Sequence, residues 1–135
     1  MPLAKLNVVV LDCPDPLALA EFYAAVIGGT PTPGDEGWYD LKTHEDHGGH
    51  GGHGGQGGAT LAFQEAPGFV PPSWPSPDAS QQFHLDLTVD DMDDMDAVEK
   101  EILALGATVL DADDRDRSWR VYADPAGHPF CLCAC

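Results

Sequence analysis

Residues 82–106, QFHLDLTVDDMDDMDAVEKEILALG, contain the pattern that decides the fold of this chain. In the first part of the stretch, apolar and polar residues alternate, which is typical of a strand with one face against a packed layer. In the second part, apolar residues recur at helical spacing up to Gly106, a residue type that commonly follows a helix end. The apolar positions are Phe83, Leu85, Leu87 and Val89, followed by Met92, Met95, Val98, Ile102 and Leu105. The stretch therefore predicts a strand, a short turn and an amphipathic helix, and it leaves His84 and Asp86 on the strand face that the helix does not cover.

The front of the chain repeats this unit. An apolar run over residues 6–12 is followed by a Pro-Asp-Pro turn and by a helical pattern over 17–27 that ends at two glycines. When Val8 is aligned with His84, Asp15 falls on Asp91 and the two helices overlap, with a slip of two residues by the glycines that end them. Strand-like segments follow both helices, at 38–43 and 59–64 in the first copy and at 118–123 and 129–135 in the second. The repeat predicts an α+β fold of two tandem β-α-β-β-β modules.

Composition excludes several classes of partner. The formal net charge of −17 argues against binding to nucleic acid or to an anionic membrane, because both require positive potential. No apolar run approaches the roughly 20 residues needed to span a bilayer, and the first residues lack the pattern of an export signal. The cysteines, Cys13, Cys131, Cys133 and Cys135, are bunched toward one end rather than spaced as a disulfide framework. We therefore expect reduced thiols in a cytoplasmic protein.

Two segments interrupt the modules of what we expect to be a single domain over residues 1–135. Residues 44–58, HEDHGGHGGHGGQGG, have low complexity and join two predicted strands, so we expect a disordered insert. Residues 67–80 are rich in proline and are expected to link module one, residues 1–66, to module two, residues 81–135.

The insert holds four histidines at intervals of three, His44, His47, His50 and His53. The glycines between them allow several imidazoles to converge on one ion, and neutral imidazole suits Zn, Ni and Cu. Two interpretations follow: a metal site that serves the protein, or a disordered loop that binds such ions only adventitiously.

Several motifs together resemble the vicinal oxygen chelate superfamily, and within it the glyoxalase-like domain and bleomycin-resistance-type proteins. They are FHLDL at 83–87, the acidic pair and amphipathic helix that end in LGA at 105–107, and VYADPAGHPF at 121–130. The resemblance implies a curved mixed sheet with a concave cleft, helices on the convex face, and a homodimer. It also implies four metal-ligand positions, which fall on Val8, on His84, on Cys131, and on Ala62 or its neighbour Gln64. Only His84 matches, so the resemblance implies a degenerate site for the usual divalent ions.

The candidate site residues gather around His84 and the C-terminal cysteines. Cys131, Cys133 and Cys135 share a face at a period of two, which we assign to the cleft with His84 and Asp86. A thiolate and imidazole pair suits Zn or Cu(I), whereas a buried cysteine also serves as a small apolar lining residue. Cys131 is a weak candidate nucleophile with His84 as its base. The cleft is expected to be lined by Val8, Trp38, Tyr39, Gln64, His84, Asp86, Arg120, Tyr122, Cys131 and Cys133. Within it, either Trp38 or Tyr39, and either Trp119 or Arg120, faces the ligand.

The leading hypothesis is a protein that binds an apolar or aromatic small molecule, for example a natural product or antibiotic that it sequesters, with no cofactor. The first alternative is a glyoxalase-type lyase or isomerase whose metal is held by His84 and Cys131, with help from the insert histidines. The second alternative is a protein-interaction module. The expected partners are a small-molecule ligand and a second copy of the chain.

Overall fold

The computed structural model describes residues 3–43, 60–72 and 83–134. The chain divides into two compact units, Met1–Phe69 and Val70–Cys135. In its described residues each unit contains a four-stranded mixed sheet and one α-helix. The predicted α+β class and the repeated β-α-β-β-β module are therefore confirmed.

The first unit places its helix between its first two strands. Its elements are β1 Val9–Cys13, α1 Pro16–Ile27, β2 Thr30–Pro33, β3 Trp38–Lys42 and β4 Leu61–Glu65. The strand order is β1-β4-β3-β2, with β1 parallel to β4 and the other neighbours antiparallel. The edge strand β2 has the sequence TPTP, and proline, which has no backbone N–H, is tolerated mainly at sheet edges.

Helix α1 begins at a side-chain cap and packs on one face of this sheet. Asp15 Oδ1 accepts a hydrogen bond from the backbone N–H of Ala18 at 3.1 Å, which satisfies one of the free donors of the first turn. The buried face of the helix includes Tyr23, whose ring stacks on Phe63 of β4 with the ring centroids 5.9 Å apart. The core of the first unit therefore lies between α1 and the Phe63 face of the sheet.

The second unit repeats this order. Its elements are β5 Leu85–Thr88, a single 3-10 turn Met92–Asp94, α2 Met95–Ala104, β6 Thr108–Asp111, β7 Trp119–Ala123 and β8 Pro129–Cys133. The strand order is β5-β8-β7-β6, with β5 parallel to β8. Met95 and Ile102 are buried on α2, and Tyr122 and Phe130 are buried on the sheet with ring centroids 5.8 Å apart.

The turn between β7 and β8 is held by one buried carboxylate. Asp124 Oδ1 accepts hydrogen bonds from the backbone N–H groups of Ala126 at 2.9 Å and of His128 at 3.0 Å. Gly127 has a φ of +102°, and a Cβ at this position would lie 2.5 Å from the Cβ of Pro71. Glycine is therefore required here both by the backbone conformation and by the close approach of Pro71.

The described part of the chain has eight strands, and the sequence pattern predicted no residue range for two of them, β2 and β6. The prolines of β2 and the charged run that follows β6 both hide the strand pattern. The insert, with its four histidines, lies outside the described residues, as does the greater part of the predicted linker. Among the helices of the described segments, none is both long enough and apolar enough to cross a membrane.

Candidate functional site

Strand register in the second unit brings three chemically active side chains together. Asp86 of β5 lies opposite Cys131 of the parallel strand β8. His84, two residues before Asp86, projects to the same side because side chains alternate along a strand. The three residues offer ligand atoms that all lie within 4.8 Å of one another. We call this group the His84–Asp86–Cys131 cluster.

The cluster combines exposed and buried groups. His84 Nε2 lies 3.2 Å from Asp86 Oδ1, and these side chains are 39% and 66% exposed. Cys131 is buried. Burial, followed by the negative charge of Asp86 and its hydrogen bond, raises the pKa of the Cys131 thiol to about 11. The thiol is therefore protonated at neutral pH, and because the thiolate is the nucleophilic form, the arrangement disfavours Cys131 as a nucleophile.

An aromatic ring lies on the same side of the sheet. In β7, Val121 is opposite Cys131 and Trp119 is opposite Cys133, so both share the face of the cluster. The guanidinium carbon of Arg117 lies 3.7 Å from the centroid of the Trp119 ring. Arg117 Nη2 is also 3.2 Å from Asp111 Oδ1. The stacked arginine and its ion pair fix the position of a half-exposed tryptophan beside the cluster.

Arg120 and Tyr122 are wrongly assigned to this face by the sequence analysis. Their register partners on β8 are Leu132 and Phe130, which alternate with Cys131 and therefore point to the opposite side. Arg120 is only 3% exposed. Of the two alternatives given above, Trp119 and not Arg120 shares the face of Cys131.

Arg120 and Tyr122 instead converge on Glu99 of α2, which the sequence analysis missed. Tyr122 Oη donates a hydrogen bond to Glu99 Oε1 at 2.6 Å, and Arg120 Nη1 donates to the same oxygen at 3.1 Å. The hydrogen bond from Arg115, together with those from Tyr122 and Arg120, lowers the pKa of Glu99 to about 2. A signal was present: Glu99 lies four residues after Met95 and three before Ile102, on the apolar stripe of the helix.

In the first unit, Trp38 and Gln64 share a face and Tyr39 lies on the other. Trp38 is opposite Gln64, and its Nε1 donates a hydrogen bond to Asp40 Oδ1 at 3.0 Å. Tyr39 is opposite Phe63, the ring that stacks on α1, so its assignment to the cleft face is wrong. A cavity of about 380 Å³ lies beside Trp38 and Gln64. Its lining includes the carboxylates of Asp35, Glu36 and Glu65.

The first unit has no counterpart of the cluster at the matching positions. Val10 is opposite Ala62 in the same parallel register that places Asp86 opposite Cys131. Val8 precedes β1 as His84 precedes β5. Apolar residues therefore stand at all three positions that match the cluster.

The cysteines differ in state. Cys13 and Cys131 are not disulfide-bonded, whereas Cys133 is. The expectation of reduced thiols throughout is therefore wrong at Cys133. Cys135 lies outside the described residues, so the structure does not place it with the cluster.

Comparison with known proteins identifies the fold. The model of a family described as "glyoxalase-like domain" matches residues 8–133. No curated protein sequence gives a significant match to this chain.

Three solved structures illustrate the likeness. An enzyme of the glyoxalase/bleomycin resistance protein/dioxygenase family from Burkholderia phytofirmans PsJN is 20% identical over 96% of this chain and 97% of its own, with a TM-score of 0.67. A variant of the fosfomycin resistance protein FosX from Listeria monocytogenes, complexed with Mn(II) and 1S,2S-dihydroxypropylphosphonic acid, is 14% identical over 98% and 93%, with a TM-score of 0.61. The oxidase ChaP-H2 is 19% identical over 97% and 93%, with a TM-score of 0.59. At these identities the likeness concerns the fold, and one fold hosts different functions.

Proposed function

This chain belongs to the glyoxalase-like domain family, and we propose that it binds an apolar or aromatic small molecule on the face of the second unit that carries the His84–Asp86–Cys131 cluster and Trp119. The observation that carries the proposal is the composition of this face. It combines a half-exposed aromatic ring, a buried aliphatic side chain and a few polar groups at one edge. Small-molecule sites are generally built in this way, from an apolar lining and a small number of polar groups that orient the ligand.

The similar fold of FosX supports a small-molecule ligand, because that protein holds a phosphonate together with Mn(II). The donor set of this chain does not fit the same ion. Mn(II) prefers carboxylate, carbonyl and water oxygens, whereas the cluster supplies a thiol from Cys131 and only one carboxylate. We therefore expect ligand binding to need no Mn(II).

The proposed outcome of binding is sequestration without covalent change, because the thiol of Cys131 is protonated at neutral pH. A natural product or antibiotic with an aromatic ring is the ligand class that this face suits best. We also propose a homodimer, which sedimentation of the purified protein tests.

A thermal-shift screen of aromatic natural products tests the proposal, because a ligand raises stability with its concentration relative to its dissociation constant. The best compound is then titrated against wild type and two variants of Trp119. Trp119→Ala should weaken binding by about 2 kcal/mol, or about 30-fold, as expected when a central aromatic contact is removed. Trp119→Phe keeps a ring and should lose much less affinity.

Val109→Ala is the matched control. Val109 is exposed on the same sheet but shares its register with Tyr122, on the face opposite the cluster. The proposal fails if Val109→Ala weakens binding as much as Trp119→Ala, or if added Mn(II) is needed for binding.

A glyoxalase-type lyase or isomerase is the second candidate, and the proximity of the three potential ligand atoms favours it. Chromatography of the bound compound after incubation separates the two candidates. Recovery of unchanged compound supports sequestration. A product whose formation stops in the presence of a chelator supports the enzyme.

A further inference from the structure

We infer that the His84–Asp86–Cys131 cluster is a binding site for a thiophilic divalent cation of the Zn²⁺ class, and not for the Mn(II) that FosX holds. The inference does not depend on the proposed aromatic ligand. It concerns a set of donors supplied by the second unit alone, because all three residues lie between Val70 and Cys135.

The chemistry of the donors selects the class of cation. The cluster offers one imidazole nitrogen, one carboxylate oxygen and one sulfur. Zn²⁺ accepts all three donor types, whereas Mg²⁺, Ca²⁺ and Mn²⁺ favour oxygen ligands and gain little from a thiolate. When the ion binds, the Cys131 S–H bond is replaced by a sulfur–metal bond and the proton is released to solvent. The carboxylate and the thiolate then together balance the charge of the cation.

The geometry is close to that of a tetrahedral site. Bonds of about 2.0–2.1 Å from Zn²⁺ to nitrogen and oxygen place two such ligands about 3.3 Å apart in a tetrahedron. His84 Nε2 and Asp86 Oδ1 are already 3.2 Å apart. With a Zn–S bond of about 2.3 Å, the sulfur must lie about 3.5 Å from each of them. All three atoms lie within 4.8 Å, so closure needs a movement of about 1 Å, within reach of a side-chain rotation.

The scaffold fixes two of the three ligands. Asp86 and Cys131 are opposite each other on neighbouring parallel strands, so their separation is set by the sheet and not by a loop. Cys131 is buried whereas His84 and Asp86 are exposed, which gives an ion a route from solvent to the thiol. Three protein ligands leave one tetrahedral position for water or for a donor atom of a ligand.

The rival explanation is that His84 and Asp86 form an ordinary surface ion pair and that Cys131 is an apolar lining residue. A spectroscopic signal from sulfur decides between the two. Untagged full-length protein, kept reduced with a phosphine, is titrated with Co²⁺ as a coloured substitute for Zn²⁺. The readout is the thiolate-to-cobalt charge-transfer band in the near ultraviolet. Residues 44–58 contain no cysteine, so the insert histidines cannot produce this band.

We expect the band to saturate at one equivalent of Co²⁺ per chain. One equivalent of Zn²⁺ should then remove it, and the same amount of Mn²⁺ should leave it unchanged. Cys131→Ser should abolish the band, and Asp86→Asn and His84→Ala should each weaken Co²⁺ binding at least tenfold.

Two matched variants serve as controls. Cys13→Ser removes the thiol of the first unit, and Cys133→Ser removes a sulfur that the reductant exposes, so both variants should keep the band. A band that survives Cys131→Ser, or no band in folded wild type, overturns the inference. Aromatic-ligand binding that persists in either case would leave the proposed function standing, so the two failures can be told apart.

Discussion

Glu99 shows how much one side chain contributes to the second unit. Its Oε1 accepts hydrogen bonds from Arg115 at 2.8 Å, from Arg120 at 3.1 Å and from Tyr122 at 2.6 Å. Its side chain is only 13% exposed and that of Arg120 only 3%, so the pair is buried between α2 and β7. Removing one partner of a buried ion pair is costly, and Arg120 would keep only Asp96, whose Oδ1 lies 3.0 Å from Arg120 Nη1 but whose side chain is 83% exposed.

Glu99→Gln should lower the free energy of unfolding by about 1–3 kcal/mol, because the exposed Asp96 compensates the charge of Arg120 less well than the buried carboxylate does. Chemical denaturation at neutral pH measures this difference. Glu101→Gln is the control: it makes the same change at an exposed position of the same helix and should lower stability by less than about 0.5 kcal/mol. Equal losses in the two variants would contradict the role assigned to Glu99.

The same carboxylate predicts a pH dependence. The pKa of Glu99 is lowered from 4.5 to about 2 in the folded protein. A lowered folded pKa adds stability above the unfolded value, and this contribution is lost as the pH falls through the folded value. The stability difference between wild type and Glu99→Gln should therefore be constant above about pH 5 and should shrink between 4.5 and 2. A difference that is independent of pH would contradict this assignment.

At the scale of the element, the two helices begin differently although they occupy matching places in the repeat. Asp15 caps α1 directly through the N–H of Ala18. The corresponding Asp91 accepts from the N–H of Asp93 at 2.9 Å and so caps the 3-10 turn that precedes α2. The sequence alignment of the two aspartates is correct, but the extra turn moves the start of the second helix to Met95.

Asp15→Ala should destabilise the first unit by about 1 kcal/mol, the usual effect of removing a cap from a helix start. Asp15→Asn keeps a side-chain acceptor and should lose only a few tenths of a kcal/mol. Thermal denaturation of the two variants checks the prediction. If Asn is as destabilising as Ala, the charge of Asp15 and not its hydrogen bond accounts for the effect.

Periodicity predicted most of the helices and strands, but it did not always predict which face of a strand is buried. The strict alternation in β5 correctly separates Leu85 and Leu87 from Asp86, because apolar and polar residues occupy different faces. Strand β7 has the sequence WRVYA, in which an arginine and a tyrosine share the buried side under α2. A buried Arg120 is tolerated because Asp96 and Glu99 of α2 both pair with it, and these partners come from another part of the chain. The local sequence pattern therefore could not show which face of β7 is buried.

For the whole molecule, counting positions along the chain indicated the repeat and placed His84 and Asp86 on one face, whereas Cys131 was grouped with them through the family resemblance. The sequence pattern did not supply the register of β7 against β8, which sets Trp119 beside the cluster and removes Arg120 and Tyr122 from it. Distances between side chains depend on such pairings, so the 3.2 Å contact of His84 with Asp86 needed coordinates.

The join between β3 and β4 gives a prediction at this scale. Thr43 Oγ1 and Thr60 Oγ1 are 2.7 Å apart, and the N–H of Thr60 donates to the carbonyl of Leu41 at 2.9 Å. The two strands therefore end side by side, and a short turn can connect them. Replacing the 16 residues 44–59 with a four-residue turn should preserve the fold. The shorter loop should raise the free energy of unfolding by about 1 kcal/mol from closure entropy alone.

The same replacement tests what the insert histidines do. Chemical denaturation and titration of the aromatic ligand should show a protein of equal or greater stability with unchanged affinity. The Co²⁺ band assigned to Cys131 should also remain. Loss of ligand binding would instead show that the insert serves the function of the protein.

The prolines of β2 have a consequence for how the protein behaves when it is concentrated. Strands that add to an exposed sheet border need a regular row of backbone donors, and two of the four residues of Thr30–Pro33 have none. This border is therefore a poor template for recruiting another chain. Fibrillar growth by strand addition at the β2 side of the first sheet is therefore opposed by the covalent structure of the strand itself.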